Sequence, residues 1–387
     1  MQIANRMDGF SPFYVMELLQ RAKQLEAQGR KIIHMEVGEP DFATPHAIIA
    51  AGSKFIQNGE VKYTAAAGHP ELKHKIAQYY HRQYAVNISA ERIFITPGAS
   101  GAFLLAFGVS LNPGKEIIMA DPCYPCNHNF VRFFGGNTQA VNVAANTQYQ
   151  LTADLIKQYW NRNSCGVLIA SPSNPTGTLI SAKELEQSIA WVTQNNGCFY
   201  SDEIYHGLVY EQQANTALQY SNEVFVINSF SKYFSMTGWR IGWLIVPEQF
   251  IDPVERLAQN IFISSPTHSQ YAALNAFTEE NLKELEERRQ VFKKRRDFLY
   301  EHLLRLGFEI PLKPEGAFYI YAKCTRFTRD SYQFAKDLLE QEGVAVTPGK
   351  DFGNNAANCY IRFAYTASIA KMSLAIEKLE CFLARCL

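Results

Sequence analysis

Residues 224–247 read VFVINSFSKYFSMTGWRIGWLIVP. Two apolar runs, at 224–227 and 241–246, flank a polar stretch with a single lysine, Lys232, and a single arginine, Arg240. Runs this short and this continuously apolar fit strands covered on both faces. A lysine among serines at the end of such a strand is either a solvated loop charge or a chemical tool. The rest of the chain has to decide between them.

The same strand texture recurs upstream. RIFITPGASGAFLLAFGVSLNPG is strand, glycine turn and helix, and KEIIMADPCYP is a strand entering a proline-bounded loop. CGVLIASPSNPTG and GCFYSDEIYHGLVY are two more strands with turns behind them. Nearer the start, a helical pattern at 15–28 stops at Gly29, and KIIHMEVGEPDFATP reads as a short strand followed by a turn. Apolar strands separated by helices predict an α/β fold: a large domain with a mostly parallel sheet sandwiched by helices. After residue 285 the texture changes. LKELEERRQVFKKRRDFLYEHLLRLG is a long charged amphipathic helix, and GAFYIYA and NCYIRFAYT alternate as antiparallel strands do. The expected division is a large domain over 46–285 and a smaller α+β domain formed by the two chain ends, 1–45 and 286–387. No internal repeat or low-complexity linker interrupts this plan.

Composition narrows the function classes. At 387 residues and 47 % apolar content the chain can bury a large core and is not expected to be disordered. Lysine plus arginine equals aspartate plus glutamate at 37 each, which gives no electrostatic reason to expect nucleic acid or an anionic membrane as partner. The first residues, MQIANRMDGFSPF, lack a signal-peptide core, and no stretch approaches the ~20 apolar residues of a membrane span. The eight cysteines are scattered apart from Cys123 and Cys126, so reduced thiols and a cytoplasmic location are expected.

In open α/β sheets ligands bind beyond the carboxyl ends of the strands. There the sequence places Gly98-Ala99-Ser100-Gly101 opening a helix, Asn174 in NPTG, Asp202 with Tyr205 three residues on, and Lys232. Each has an ordinary explanation as a turn, a helix cap or a solvated charge. Together on one rim they are the set that one chemistry needs. A lysine amine condenses with an aldehyde when it is partly desolvated or near other cations. Pyridoxal phosphate offers that aldehyde, a phosphate for a glycine turn and an arginine, a ring nitrogen for a carboxylate, and a phenolic oxygen for neutral donors.

At these residues the chain resembles a known family. SPSNPTG, SDEIY and SFSKYFSMTGWRIGW are similar to the motifs of class I/II pyridoxal-phosphate aminotransferases of fold type I, in the aspartate aminotransferase superfamily. The likeness runs from GEPDFATP to CYIRFAYT. It implies Lys232 as the Schiff-base lysine and proton carrier, and Asp202 as the partner of the ring nitrogen. It implies Asn174 and Tyr205 at the ring oxygen, and Ala99, Ser100, Ser229 and Arg240 at the phosphate. Tyr124, in DPCYPCN, matches the aromatic residue stacked on the ring. Tyr63, in KYTAAAGHPEL, matches a tyrosine that reaches the phosphate of a neighbouring subunit, which implies a homodimer with shared active sites. Gly38 matches a residue beside the substrate carboxylate. Arg362, in YIRFAY, matches the arginine that grips the α-carboxylate, a task suited to a planar guanidinium.

The implied substrates are an L-amino acid and a 2-oxo acid such as 2-oxoglutarate or pyruvate. Aspartate-specific relatives often carry a second arginine from the partner subunit. The stretch NIFISSPTHSQ, placed where it could line the partner's site, has none. Phe13, Tyr14, His69 and His128 are candidates for a pocket that takes a neutral or aromatic side chain. The Asn174-Pro175 bond is often cis in the family, against the trans default of X-Pro bonds. CYPC overlaps the ring-stacking loop, and no second C-x-x-C exists to complete a metal site. A carbon–sulfur β-lyase of the same fold shares Lys232, Asp202 and Arg362 and stays open, as does, more distantly, a non-catalytic regulatory ligand sensor.

Overall fold

The computed structural model describes residues 1–10 and 12–385. Seven strands form the larger sheet: β1 (Ile93–Thr96), β2 (Glu116–Asp121), β3 (Asn137–Asn142), β4 (Ser164–Ala170), β5 (Cys198–Asp202), β6 (Val224–Ser229) and β7 (Gly242–Ile245). Their order across the sheet is β1-β7-β6-β5-β4-β2-β3. β7 is antiparallel to both neighbours, and the other pairings are parallel. This is the mostly parallel sheet the sequence predicts.

The two-residue period of a strand fills both faces of the sheet. Phe94, Leu168, Tyr200, Phe225 and Leu244 enter one core. Ile95, Val167, Phe199, Val226 and Trp243 enter the other. The apolar helix Gly98–Ser110 packs with the first set. β3 was not anticipated: its sequence, NTQAVN, is polar, and of its residues only Val141 is fully buried, as an edge strand permits.

Parallel pairing puts the carboxyl ends of β2, β4, β5 and β6 on one edge, Asp121, Ala170, Asp202 and Ser229, and two successive antiparallel pairings through β7 bring Thr96 of β1 there too. β7 runs the other way, so it begins there. Gly242 pairs with both Ser229 and Thr96, which brings Arg240 to the same edge.

A three-stranded antiparallel sheet, β8 (Tyr319–Lys323), β9 (Thr347–Pro348) and β10 (Tyr360–Ala364), has the order β9-β10-β8. Beside it Ile33–His34 pairs in parallel with Val344–Ala345. A separate apolar cluster joins these strands to helices Tyr14–Ala27, Ser331–Glu342 and Ile369–Leu383. The helix Glu279–Leu306 spans both regions. Its Leu285 packs in the core of the larger sheet, while Phe292, Leu299 and Leu303 pack in the other cluster. The helix begins at Thr278, whose hydroxyl caps Asn281 N–H, and ends at Gly307 with φ +97°. From this helix Arg295 binds the Asp41 carboxylate with both terminal nitrogens, at 2.6 and 3.0 Å. That pair fixes the GEPDF turn, and with it Gly38.

Candidate active site

Above the shared strand edge lies a cavity of about 300 Å³. Gly38, Ala99, Ser100, Tyr124, Asn174, Asp202, Tyr205, Ser229, Lys232, Arg240 and Arg362 all line it. Tyr63 does not. It stands 79 % exposed on the surface, beside a separate depression formed with Val61, Pro97, Ile261, Phe262 and Pro266.

Lys232 lies three residues beyond the end of β6. Its Nζ donates to the Gly38 carbonyl at 2.6 Å and sits about 6 Å from the Tyr205 and Phe318 rings. Burial, then the positive Arg362, and then Arg240 against the opposing pull of Glu39, push its amine down to about 8. Gly38 is needed at this point. A Cβ there would fall 2.0 Å from the Tyr319 hydroxyl oxygen. Gly38→Ala is expected to cost ~1–3 kcal/mol of stability, as overpacking does, and adding Tyr319→Phe should recover part of it. Thermal unfolding of the single and double variants measures this; a double variant no more stable than Gly38→Ala would place the strain elsewhere.

Asp202 ends β5 and is buried. Burial raises its carboxyl to about 6, against the Ile204 N–H that donates to Oδ1 at 3.2 Å and the Lys232 charge. Tyr205 is buried too, and its hydroxyl lies 2.8 Å from that of Tyr319. Burial holds the Tyr205 phenol well above its ordinary range.

Arg362 comes from β10, across the cavity. Its Nη1 donates to Asn174 Oδ1 at 3.0 Å, and its Nη2 to Thr347 Oγ1 at 3.1 Å and to the Glu36 carbonyl. Its Nε has no protein partner. The guanidinium is sandwiched by Tyr319 and Phe352, 4.2 and 4.9 Å from the ring centroids. All its hydrogen-bond acceptors are neutral oxygens, so a 5 % exposed cation keeps its capacity for a carboxylate. Asn174 is joined to Pro175 by a cis bond, as are Asp121 to Pro122 and Ser171 to Pro172.

The fourth corner is built for an anion. Helix Gly98–Ser110 starts here with no side-chain cap and no acidic residue in its first turn. Gly98 has φ +70°, and a Cβ on it would lie 2.6 Å from Arg240 Nη2. Ser231 N–H donates to Ser229 Oγ at 3.1 Å, which donates in turn to the Ile241 carbonyl at 3.1 Å.

Comparison with known proteins decides what this arrangement belongs to. Residues 30–379 match the family described as aminotransferase class I and II. The chain belongs to that family. It is 36 % identical over 384 residues to the (5-formylfuran-3-yl)methyl phosphate transaminase of Methanocaldococcus jannaschii, covering 98 % of this chain and 99 % of that one. It is 35 % identical to the valine–pyruvate aminotransferase of Mycobacterium tuberculosis, with 97 % of each chain covered. The crystal structure of an aminotransferase from Mycobacterium tuberculosis superposes with a TM-score of 0.96 at 34 % identity over the whole of both chains. These relatives are named for amino-group transfer, and the chain is a transaminase. The lyase and sensor readings are set aside on that ground.

Of the four side-pocket candidates in the aminotransferase, the structure brings only Phe13 to the cavity. Tyr14 points its backbone N–H at Asp351. The His69 ring packs on Tyr271, and His128 lies between Cys123 Sγ at 3.2 Å and Thr138 Oγ1 at 3.0 Å. Burial raises the Cys123 thiol, which keeps it neutral rather than nucleophilic. The sequence reading missed Glu36, Ser231, Tyr319, Asp351 and Phe352, all on the cavity wall. Glu36, Ser231 and Tyr319 lay within stretches already singled out. Asp351 and Phe352 carry no local signal, because their places depend on distant packing.

Proposed function

We propose that this transaminase moves the α-amino group of a neutral, apolar L-amino acid to 2-oxoglutarate or pyruvate, with pyridoxal 5'-phosphate held in the Lys232 cavity. The observation that carries the cofactor assignment is Lys232 itself, a half-buried side chain whose amine lines the cavity on the rim where the sheet edge gathers its polar groups and is pushed down to about 8. An amine with a lowered pKa is a better nucleophile near neutrality, so Lys232 is the residue that would hold the aldehyde carbon covalently. The remaining donors fit the rest of the group. Asp202, a buried carboxylate, would hold a protonated ring nitrogen. Asn174 and Tyr205 would face the ring oxygen, and Tyr124 the ring. Ala99, Ser100, Ser229 and Arg240 would hold the phosphate at the uncapped helix start. When bound, the cofactor supplies an electron sink for negative charge at the substrate Cα.

The chain's own groups do the remainder. Arg362 binds the α-carboxylate through its guanidinium fork, with Asn174 and the Gly38 backbone beside it, and so aims the Cα–H. Lys232 Nζ would be the base that removes the Cα proton. Tyr319 and Phe352 keep water from the guanidinium.

The walls support the substrate class. Phe13, Val15, Met16, Leu19, Phe103, Phe130 and Phe352 make much of the cavity apolar. The basic residues lining it are Lys232, Arg240 and Arg362, all assigned above to the cofactor or the α-carboxylate, so none is left as counter-charge for a second substrate carboxylate. Exposed Val61, Tyr63 and Ile261 beside Pro97 support a homodimer in which Tyr63 serves the partner's phosphate. The cysteines among the described residues are free thiols, which supports a reducing cytoplasm. No helix among the described residues is long and apolar enough to cross a membrane. The apolar cluster that gathers the two chain ends, separate from the cores on the two faces of the large sheet, supports a cofactor-binding domain at 46–285 with a smaller one from 1–45 and 286–387.

The test is a visible spectrum of the cofactor-loaded protein, titrated with single L-amino acids in the absence of any oxo acid. Leucine or phenylalanine should bleach the band of the lysine-bound cofactor at concentrations where aspartate does not. Bleaching by aspartate alone contradicts the substrate class. Absence of a visible band after loading contradicts the cofactor assignment.

A further inference from the structure

We propose that Asp351 sets substrate specificity as a positioning residue, by tying down the helix start that forms the apolar wall of the side-chain pocket. The inference rests on the apolar-substrate reading above. Helix Tyr14–Ala27 begins without a cap of its own: Phe13, at its N-cap, has no side-chain acceptor to offer. The first N–H groups of a helix have no intrahelical partner. Here Asp351 supplies both acceptors from the far end of the chain. Its Oδ1 takes Tyr14 N–H and its Oδ2 takes Val15 N–H, each at 2.8 Å. A carboxylate facing two N–H groups at the positive end of a helix makes strong, charge-assisted bonds. Asp351 is 7 % exposed, so these bonds are little screened by water.

The tie controls more than the helix end. Phe13, Val15, Met16 and Leu19 come from the first two turns of this helix and its approach, and all four line the cavity. The other side of the tie is anchored as well. Asn354 N–H donates to Asp121 Oδ2 at 2.9 Å, Asn355 N–H to Oδ1 at 3.3 Å, and Cys123 N–H to the Phe352 carbonyl at 2.8 Å. A Cβ on Gly353 would lie 1.9 Å from Asp121 Oδ1, so the loop closes on that carboxylate because a glycine stands there. Asp121 ends β2, and Tyr124 follows three residues later. The apolar wall is thus held in register with the strand end that carries the ring-facing tyrosine, through a loop of five residues.

Asp351 has a second neighbour of consequence, the Arg362 charge. The two routes of action differ in what they predict. Every amino acid substrate carries an α-carboxylate, so an effect through Arg362 falls on all of them alike. An effect through the wall falls on bulky side chains.

The experiment compares kcat/KM for L-leucine and L-phenylalanine with that for L-alanine in the cofactor-loaded wild type, Asp351→Ala and Asp351→Asn. Loss of both acceptors is expected to lower the bulky-to-alanine ratio about tenfold in Asp351→Ala, and by less in Asp351→Asn, which keeps one acceptor oxygen. Hydrogen exchange of the 13–16 backbone should quicken in both variants while that of 18–25 keeps its protection. If Asp351→Ala does not fold, Asp351→Asn carries both readouts alone. A ratio that stays at the wild-type value while all rates fall together overturns the inference and leaves the substrate class standing. Unchanged exchange at 13–16 overturns it too. A wild type that works on aspartate and not on leucine or phenylalanine overturns the substrate class first, and this role with it.

Discussion

Replacing Lys232 by Ala should cut turnover by ~10⁴-fold or more while the protein stays folded, because both the covalent anchor and the base are lost. The structure gives little reason for a stability loss. Lys232 makes one hydrogen bond, to the Gly38 carbonyl, and burial already disfavours its charged form. Removing that bond is expected to cost about 1 kcal/mol. Single-turnover rates with the preferred amino acid, together with thermal unfolding, separate the two effects. Residual turnover within about tenfold of wild type would remove Lys232 from the role of base, since one general base contributes more than that.

Arg362 carries the second large effect. Arg362→Lys keeps a charge but loses the fork, and kcat/KM is expected to fall ~10²–10³-fold, the range for losing a buried, hydrogen-bonded charge pair. Most of the loss should appear in KM, because the α-carboxylate is bound alike before and during the proton transfer. Arg362→Leu should be worse. It also strips donors from Asn174 Oδ1, Thr347 Oγ1 and the Glu36 carbonyl. Steady-state KM and kcat for one amino acid across the three proteins measure the split. A KM within about threefold of wild type in Arg362→Lys would place the carboxylate elsewhere, because that change is under 1 kcal/mol.

Much of this site was legible because it is written at strand ends. A continuous apolar run fixes where a strand stops; parallel pairing then brings Asp202 and Ser229 to one edge, and the two antiparallel pairings of β7 bring the turn after Thr96 there as well. Arg240 was equally readable, since β7 begins where β6 ends. β3 was not, because an edge strand with one fully buried side chain has no apolar run to show. Asp351 was not either. Its partners lie 336 and 337 positions away, and nothing in TPGKDFG distinguishes a helix cap from a turn aspartate. His69 and His128 misled for the converse reason: a histidine near a motif in sequence is taken up away from the cavity, His69 by packing on Tyr271 and His128 by Cys123 and Thr138.

The central claim is that Lys232 is the amine that holds the cofactor. The most direct measurement is borohydride reduction of the protein saturated with pyridoxal 5'-phosphate, followed by peptide mapping. The account predicts one phosphopyridoxyl group per chain, on Lys232, and none on the Lys232→Ala variant. Stable labelling of another lysine, or an unlabelled Lys232 in active protein, would contradict it.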